Sequence, residues 1–332
     1  MNKDFLKASE YEFLHTNPHL GDNIVLLGLG GSHAYGTNIE TSDVDLRGIA
    51  TRTSFDICTG HDFEQVVNAG TDTTIYSLDK IFTLLAQCNP NCIEILGLRD
   101  EDYLYITDLG QQILDNKKLF LSKQCIKTFG GYANQQLYRL QQKTLAALTP
   151  MEYRLHIAKV IDGMKDHLYN SWGIDSIDAY LFNDELVVNM GELHNVSLDA
   201  FYGITNEIGN VIKEYTKVSK RNEKALAHEK ISKHAMHLIR LYLMAYDLLT
   251  KGEIITYRAG EHELLMDIRN GKYEDENGMM TKEFFDILKE QEAKFEEAKK
   301  YDILPDKPDY TKIAKLQNNI NQFIVVNDYY TR

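Results

Sequence analysis

The sequence has little proline, five residues in 332. It has no low-complexity stretch and no internal repeat, which argues against long disordered linkers and solenoid arrays. No apolar run approaches the roughly 18 residues of a membrane-spanning helix. The opening residues, MNKDFLKASEYEFL, hold no apolar segment of the kind a secretory signal carries. Cysteine is scarce too: Cys58, Cys88, Cys92 and Cys125, none in a CxxC pair. Cys88 and Cys92 have the spacing of one helix face, but Asn89-Pro90 interrupts that helix, and no His lies nearby. Free thiols are expected, as in a cytoplasmic protein kept reduced. Positive charge is in short supply: 36 Lys and Arg against 49 Asp and Glu, a formal net charge of −13. Phosphate binding is largely electrostatic, so such a chain is a poor clamp for duplex DNA. A local basic face could still engage nucleic acid.

What is present is a soluble-protein composition, 43% hydrophobic and 26% charged, in a chain long enough for two cores. Its most informative stretch is IVLLGLGGSHAYGTNIETSDVDLRGI, residues 24 to 49. Ile24-Val25-Leu26-Leu27 is short, apolar and followed by glycines, which predicts a buried strand. The turn Gly28-Leu29-Gly30-Gly31-Ser32 leaves backbone N–H groups able to point at an anion. Its spacing matches neither GxGxxG nor GxxxxGK[ST], against a dinucleotide fold or a P-loop. About ten residues on, Asp43-Val44-Asp45-Leu46 alternates polar and apolar. As a strand, it would place Asp43 and Asp45 on one face. Two such carboxylates suit a hard cation, Mg²⁺ or Mn²⁺. A phosphate cradle beside a carboxylate-bound metal is equipment for phosphoryl or nucleotidyl transfer.

Gly31-Ser32, a gap, then Asp43-x-Asp45 resembles the signature of the DNA-polymerase-beta-like nucleotidyltransferase superfamily. GSHAYGTNIETSDVDLRGI, NPNCIEILG, the Phe129-Gly130-Gly131-Tyr132-Ala133 phrase with Gln136, and TYRAGEHELLMDIRNGKY are similar to a narrower group, which includes the RNA-repair-associated RlaP-type proteins. The resemblance implies an α+β architecture. A nucleotidyltransferase catalytic domain over 1–112, with a mixed sheet and flanking helices, would precede a mostly helical nucleotide- and acceptor-binding domain over 113–332.

It also implies metal-dependent transfer of an NMP from an NTP, ATP first, to an acceptor hydroxyl with release of pyrophosphate. The acceptor would be an RNA or tRNA end. Nucleotidylation of a protein or small molecule, and a silent nucleotide-binding module, remain open. Asp43, Asp45 and Asp72 are the expected metal ligands and catalytic acids. Asp62 and Glu64 compete with Asp72 for the third place. Gly31, Ser32, His33, Arg47, Lys233 and Arg240 are the expected nucleotide contacts. Each has a plainer role open to it. His33 could cap the turn or stack on Tyr35, and Arg47 could pair with Asp43 or Asp45. The Lys233, His237 and Arg240 row, at i, i+4 and i+7, could be one solvated helix face. Arg258 and Arg269 are further candidates for phosphate, and Glu94 either lines the site or packs a helix.

Local signals predict further elements. Asp72 to Leu78 reads as a strand, and Ser77 as the N-cap of a helix running through Leu85. Asn89-Pro90 opens another helix. Helices are expected at 121–148, 153–171, 281–301 and 309–323, with one long helix through KHAMHLIRLYLMAYDLLTK, and a small hairpin at 180–188. The Lys213 to Arg240 stretch reverses the overall charge and could face RNA.

Overall fold

The structure, a computed structural model, describes residues 3–146, 177–182, 185–190, 203–211, 229–276 and 278–331. The helix expected at 153–171 and most of the basic stretch from 213 lie outside them.

The apolar run forms β1 (Ile24–Leu29), buried at every position. Burial on both faces explains why it reads as continuously apolar. It sits inside a five-stranded mixed sheet with β2 (Leu46–Ala50), β3 (Gln65–Asn68), β4 (Thr73–Ser77) and β5 (Tyr103–Ile106) in the order β3-β4-β2-β1-β5. β1 runs antiparallel to β2 and β5, β2 parallel to β4, and β3 antiparallel to β4. Leu14, Leu20, Leu27, Leu46, Ile75 and Leu104 pack into one core cluster.

The caps read from sequence are present. Ser77 accepts from Lys80 N and starts the helix Leu78–Ala86, whose Ile81, Phe82 and Leu85 are buried. Asn89 accepts from Asn91 N ahead of Pro90–Ile93, and a 3-10 turn continues through Glu94–Leu96. The longer helices are Gln124–Ala146, Glu229–Lys251, Lys282–Ala298 and Tyr310–Thr331. The small hairpin is β6 (Ile177–Phe182) against β7 (Glu185–Met190).

Two compact units emerge. The first joins Met1–Gln136 to Ser232–Tyr273 and Met280–Arg332; the second is Leu137–Ile231 with Glu274–Met279. The boundary expected at 112/113 therefore falls inside the first unit. The helix Tyr310–Thr331 packs on the helices Ser54–Thr59 and Leu78–Ala86, so the end of the chain returns to the sheet domain.

Leu26, on the strand flanked by both β2 and β5, is fully buried. Leu26→Ala should lower unfolding free energy by about 2–5 kcal/mol, through lost burial and the cavity left behind. Urea titration should show a lower midpoint at unchanged slope.

Candidate active site

Strand register builds the site. Leu29 pairs with Leu46, which sets Gly30 beside Asp45, and Gly30 N donates to Asp45 O at 2.8 Å. Leu46 pairs with Thr73 on the other side, so Asp45 and Asp72 stand level, each one residue upstream. Asp43, Val44 and Asp45 are not part of the strand expected for them. β2 starts at Leu46, and these residues form an irregular lead-in.

Gly31 opens the single helical turn Gly31–Ala34 with φ +54°. A Cβ there would lie 1.6 Å from Asp45 Oδ2. No other residue type fits, since the left-handed backbone and the carboxylate both forbid a side chain. The glycine turn and the carboxylate are thus in contact, as the motif required.

Asp45 and Asp72 share a side-chain hydrogen bond. Burial, then that bond and the negative charge of Asp72, push the Asp45 carboxyl up to about 7. Asp72 is held below the usual carboxylate range, first by the Asp45 hydrogen bond and also by Arg47. Arg47 Nη1 donates to Asp72 O at 2.6 Å and Nη2 to Asp72 Oδ1 at 3.3 Å. Arg47 thus pairs with Asp72, and not with Asp43 or Asp45 as its plainer role had it. Asp72 itself has φ +42°, an uncommon backbone for a residue with a side chain.

The rivals for the third acid lie elsewhere. Glu64 O accepts from Ser77 N, at the far end of β4, about 15 Å along the strand from Asp72. Its carboxylate pairs with Lys80 at 3.0 Å. Asp62 caps Phe63 N. Asp43 is exposed. Among the described residues no three His, Cys, Asp or Glu side chains converge to hold a metal, so Asp43 does not complete a triad with the other two.

The expected basic residues divide. Lys233 is exposed, and its charge lowers the pKa of both Asp45 and Asp72. Arg240 is not on a solvated face, the plainer alternative to its expected nucleotide contact. It is 7% exposed, its guanidinium lies 3.4 Å from the Tyr35 ring centroid, and Nη2 bonds His237 Nδ1 at 2.7 Å. The physical reason is that the helix Glu229–Lys251 is buried around most of its girth from Ala235 to Leu249. Arg258 is also buried and bonds the buried Asp247, a carboxylate where a phosphate was expected. Arg269 reaches Ser42 Oγ at 3.0 Å. His33 is half-buried, and its Nε2 has no hydrogen-bond partner among the described residues. Glu94 is buried and accepts from Tyr35 Oη at 2.9 Å.

Tyr257 and His262 lie in the TYRAGEHELLMDIRNGKY phrase, but nothing in it marked a clamp on the loop after Gly31-Ser32. His262 Nε2 donates to Gly36 O at 2.8 Å. Gly36, at φ +67°, leaves room for Tyr257, whose ring a Cβ would meet at 2.3 Å. These partners are more than two hundred residues apart, beyond the reach of any spacing rule. A cavity of about 740 Å³ lies at the opposite end of the sheet, between Asn23, Thr51, Thr107 and Phe323, with no Lys, Arg or His in its lining. Its chemistry does not suit a polyphosphate.

Residues 6–164 match the model of RlaP, the RNA repair pathway DNA polymerase beta family. That span, a little under half of the chain, is similar to the polymerase-beta-like nucleotidyltransferases. The RlaP match takes in the whole five-stranded sheet, the glycine turn, Asp45 and Asp72, and stops short of Lys233 and Arg240. No curated protein and no solved structure matches the chain.

The polymerase-beta fold implies a divalent cation. Asp45 and Asp72 fit it: two hard oxygen donors whose mutual repulsion a cation would relieve. Mg²⁺ commonly takes one or two carboxylates and completes its shell with phosphates and water.

The direction of the Asp45 shift sets a pH dependence. A carboxyl raised in the folded state disfavours folding above its unfolded value of 3.8, and the cost is complete above about 7. Asp45→Asn removes that cost while its amide can still donate to Asp72. In chelator-treated protein, the variant should melt higher than wild type at about pH 8, and the gap should close toward pH 4. Thermal melts across that range check it.

Proposed function

We propose that this protein is a metal-dependent nucleotidyltransferase that moves an NMP from an NTP, ATP first, to the hydroxyl of an RNA or tRNA end, releasing pyrophosphate. One observation carries the proposal. The Asp45–Asp72 carboxyl pair lies directly against the Gly31 turn, in a chain whose RlaP-type half is related to RNA repair.

In this scheme Asp45 and Asp72 would hold Mg²⁺ or Mn²⁺. When bound, the cation neutralises phosphate charge and lowers the pKa of the acceptor hydroxyl. The Gly31-Ser32 amides and the Ser32 hydroxyl orient the β- and γ-phosphates, with His33 at the edge of the same turn. Lys233 adds positive charge from the helix Glu229–Lys251. Asp43, exposed two residues before Asp45, would be a further carboxylate available to the cation. Held so, the α-phosphorus is open to in-line attack by the acceptor hydroxyl, and the fixed charges stabilise the departing pyrophosphate. The lowered pKa of Asp72 suits a ligand more than a base, because a base works best with a pKa near the working pH.

The test is incubation with each α-labelled NTP, Mg²⁺, total RNA and total protein. Label should enter RNA from wild type. It should fall by about 10²–10⁴-fold in Asp45→Asn and Asp72→Asn, the range for loss of one well-placed catalytic group. Label entering protein, with RNA unlabelled, would move the acceptor to a protein hydroxyl. No labelled product in either pool would sink the transferase proposal.

A further inference from the structure

The turn that carries Gly31 and Ser32 is four residues long, Gly31–Ala34. A helix that short has no stability of its own, because nucleation outweighs its one or two hydrogen bonds. Something outside the turn must hold it. At its start the anchor is Gly30 N to Asp45 O. At its end the turn is closed by Gly36 N to His33 O at 3.1 Å and Thr37 N to Ser32 O at 2.9 Å. Between these last two bonds sits Tyr35, 2% exposed.

Tyr35 is gripped from two sides. Its hydroxyl donates to Glu94 Oε2 at 2.9 Å, on the 3-10 turn that follows Asn89-Pro90. Its ring carries the Arg240 guanidinium at 3.4 Å, and Arg240 is fixed in turn by His237. Arg has no acceptor, so His237 Nδ1 must accept and the ring proton sits on Nε2. Glu94 and Arg240 are each 7% exposed. Two opposite charges taken this far out of water are weak evidence of added stability, since desolvation consumes much of their attraction. Such groups do define one geometry, because any other leaves a buried charge unmatched. Here the geometry defined is that of the residue immediately after the phosphate turn.

We propose that Tyr35 is a positioning residue, which holds the Gly31–Ser32 turn in its triphosphate-binding form through Glu94 and Arg240. Arg240 then acts through Tyr35 and is not a phosphate ligand. Its flat face covers the tyrosine and one arm is committed to His237. The inference rests on the nucleotidyltransferase reading of the site. It adds the device that keeps the cradle shaped before substrate arrives. It also assigns the helix Glu229–Lys251 a part in phosphate recognition at one remove.

The experiment compares binding of Mg-ATP and of AMP by calorimetry, well below the melting temperature of each variant. Wild type should bind ATP more tightly than AMP. Tyr35→Phe keeps the ring under Arg240 but removes the donor to Glu94. It should weaken ATP by about tenfold, the scale of one hydrogen bond to a charged group, and leave AMP unchanged. Arg240→Lys keeps the charge but loses the planar stack and the fork, so it should do the same. It also stands in should Tyr35→Phe fail to fold. Equal loss of ATP and AMP affinity in these variants would make the cluster merely structural and overturn the inference. Full ATP affinity in Arg240→Lys would overturn it as well, since charge alone would then suffice. A wild type that does not prefer ATP over AMP would defeat the nucleotide reading first, and this coupling with it.

Discussion

A single crowded contact organises the molecule: the Asp45 carboxylate against the bare Cα of Gly31, with Asp72 sharing its hydrogen bond. Everything nearby accommodates it. The backbone of Gly31 turns left-handed to make room, Asp72 accepts an uncommon backbone angle, and Arg47 spans the carbonyl and carboxylate of Asp72. Two acids are thereby held together at the end of three neighbouring strands. Two hard oxygen donors beside a glycine turn suit the cation and the polyphosphate of the proposed reaction. Burial and like charge raise Asp45, while Arg47 and the Asp45 hydrogen bond lower Asp72. Divergent pKa values in one pair of like groups often mark a functional site.

The later part of the chain serves this contact from a distance. Helices and loops from Ser232 to Tyr273 belong to the same compact unit as the sheet. They reach the loop between the glycine turn and β2 at three points: Tyr257 and His262 on Gly36, and Arg269 on Ser42. Arg99 in turn lies 3.9 Å from the Tyr257 ring centroid. A loop of this length between the glycine turn and a carboxylate would otherwise be free to move, and each degree of freedom would have to be lost when a ligand binds. Clamping it beforehand preorganises the site. The RlaP match ends before these residues, so the clamp is built from a portion of the chain outside the matched span.

Much of the fold was legible. β1 followed from an apolar run bounded by glycines, the helix Leu78–Ala86 from Ser77 and its apolar spacing, and the next turn from Asn89-Pro90. The β6–β7 hairpin followed from β-branched and apolar residues, and Arg269-Asn270-Gly271 marked the end of the helix His262–Arg269. Each depends on residues close in the chain. The strand expected over Asp43–Asp45 starts later, because β4 gives β2 a partner only from Leu46. The buried state of Arg240 was hidden for a related reason. A helical wheel shows which residues share a face, but not what that face meets.

The chain by itself determined the chemistry on hand: a glycine turn after a buried strand, acids spaced by one, a further acid before the next strand, and basic residues on a late helix. Those are covalent and local facts, set by residue type and backbone preference. Only the tertiary structure decided that Asp45 pairs with Asp72 while Asp43 stays exposed, that the charge of Lys233 acts on both acids, and that Arg240 lies on Tyr35. Strand register makes the first choice, because Leu46 opposite Thr73 sets Asp45 beside Asp72. Packing makes the others, because a long helix buried on most sides leaves few of its residues in water.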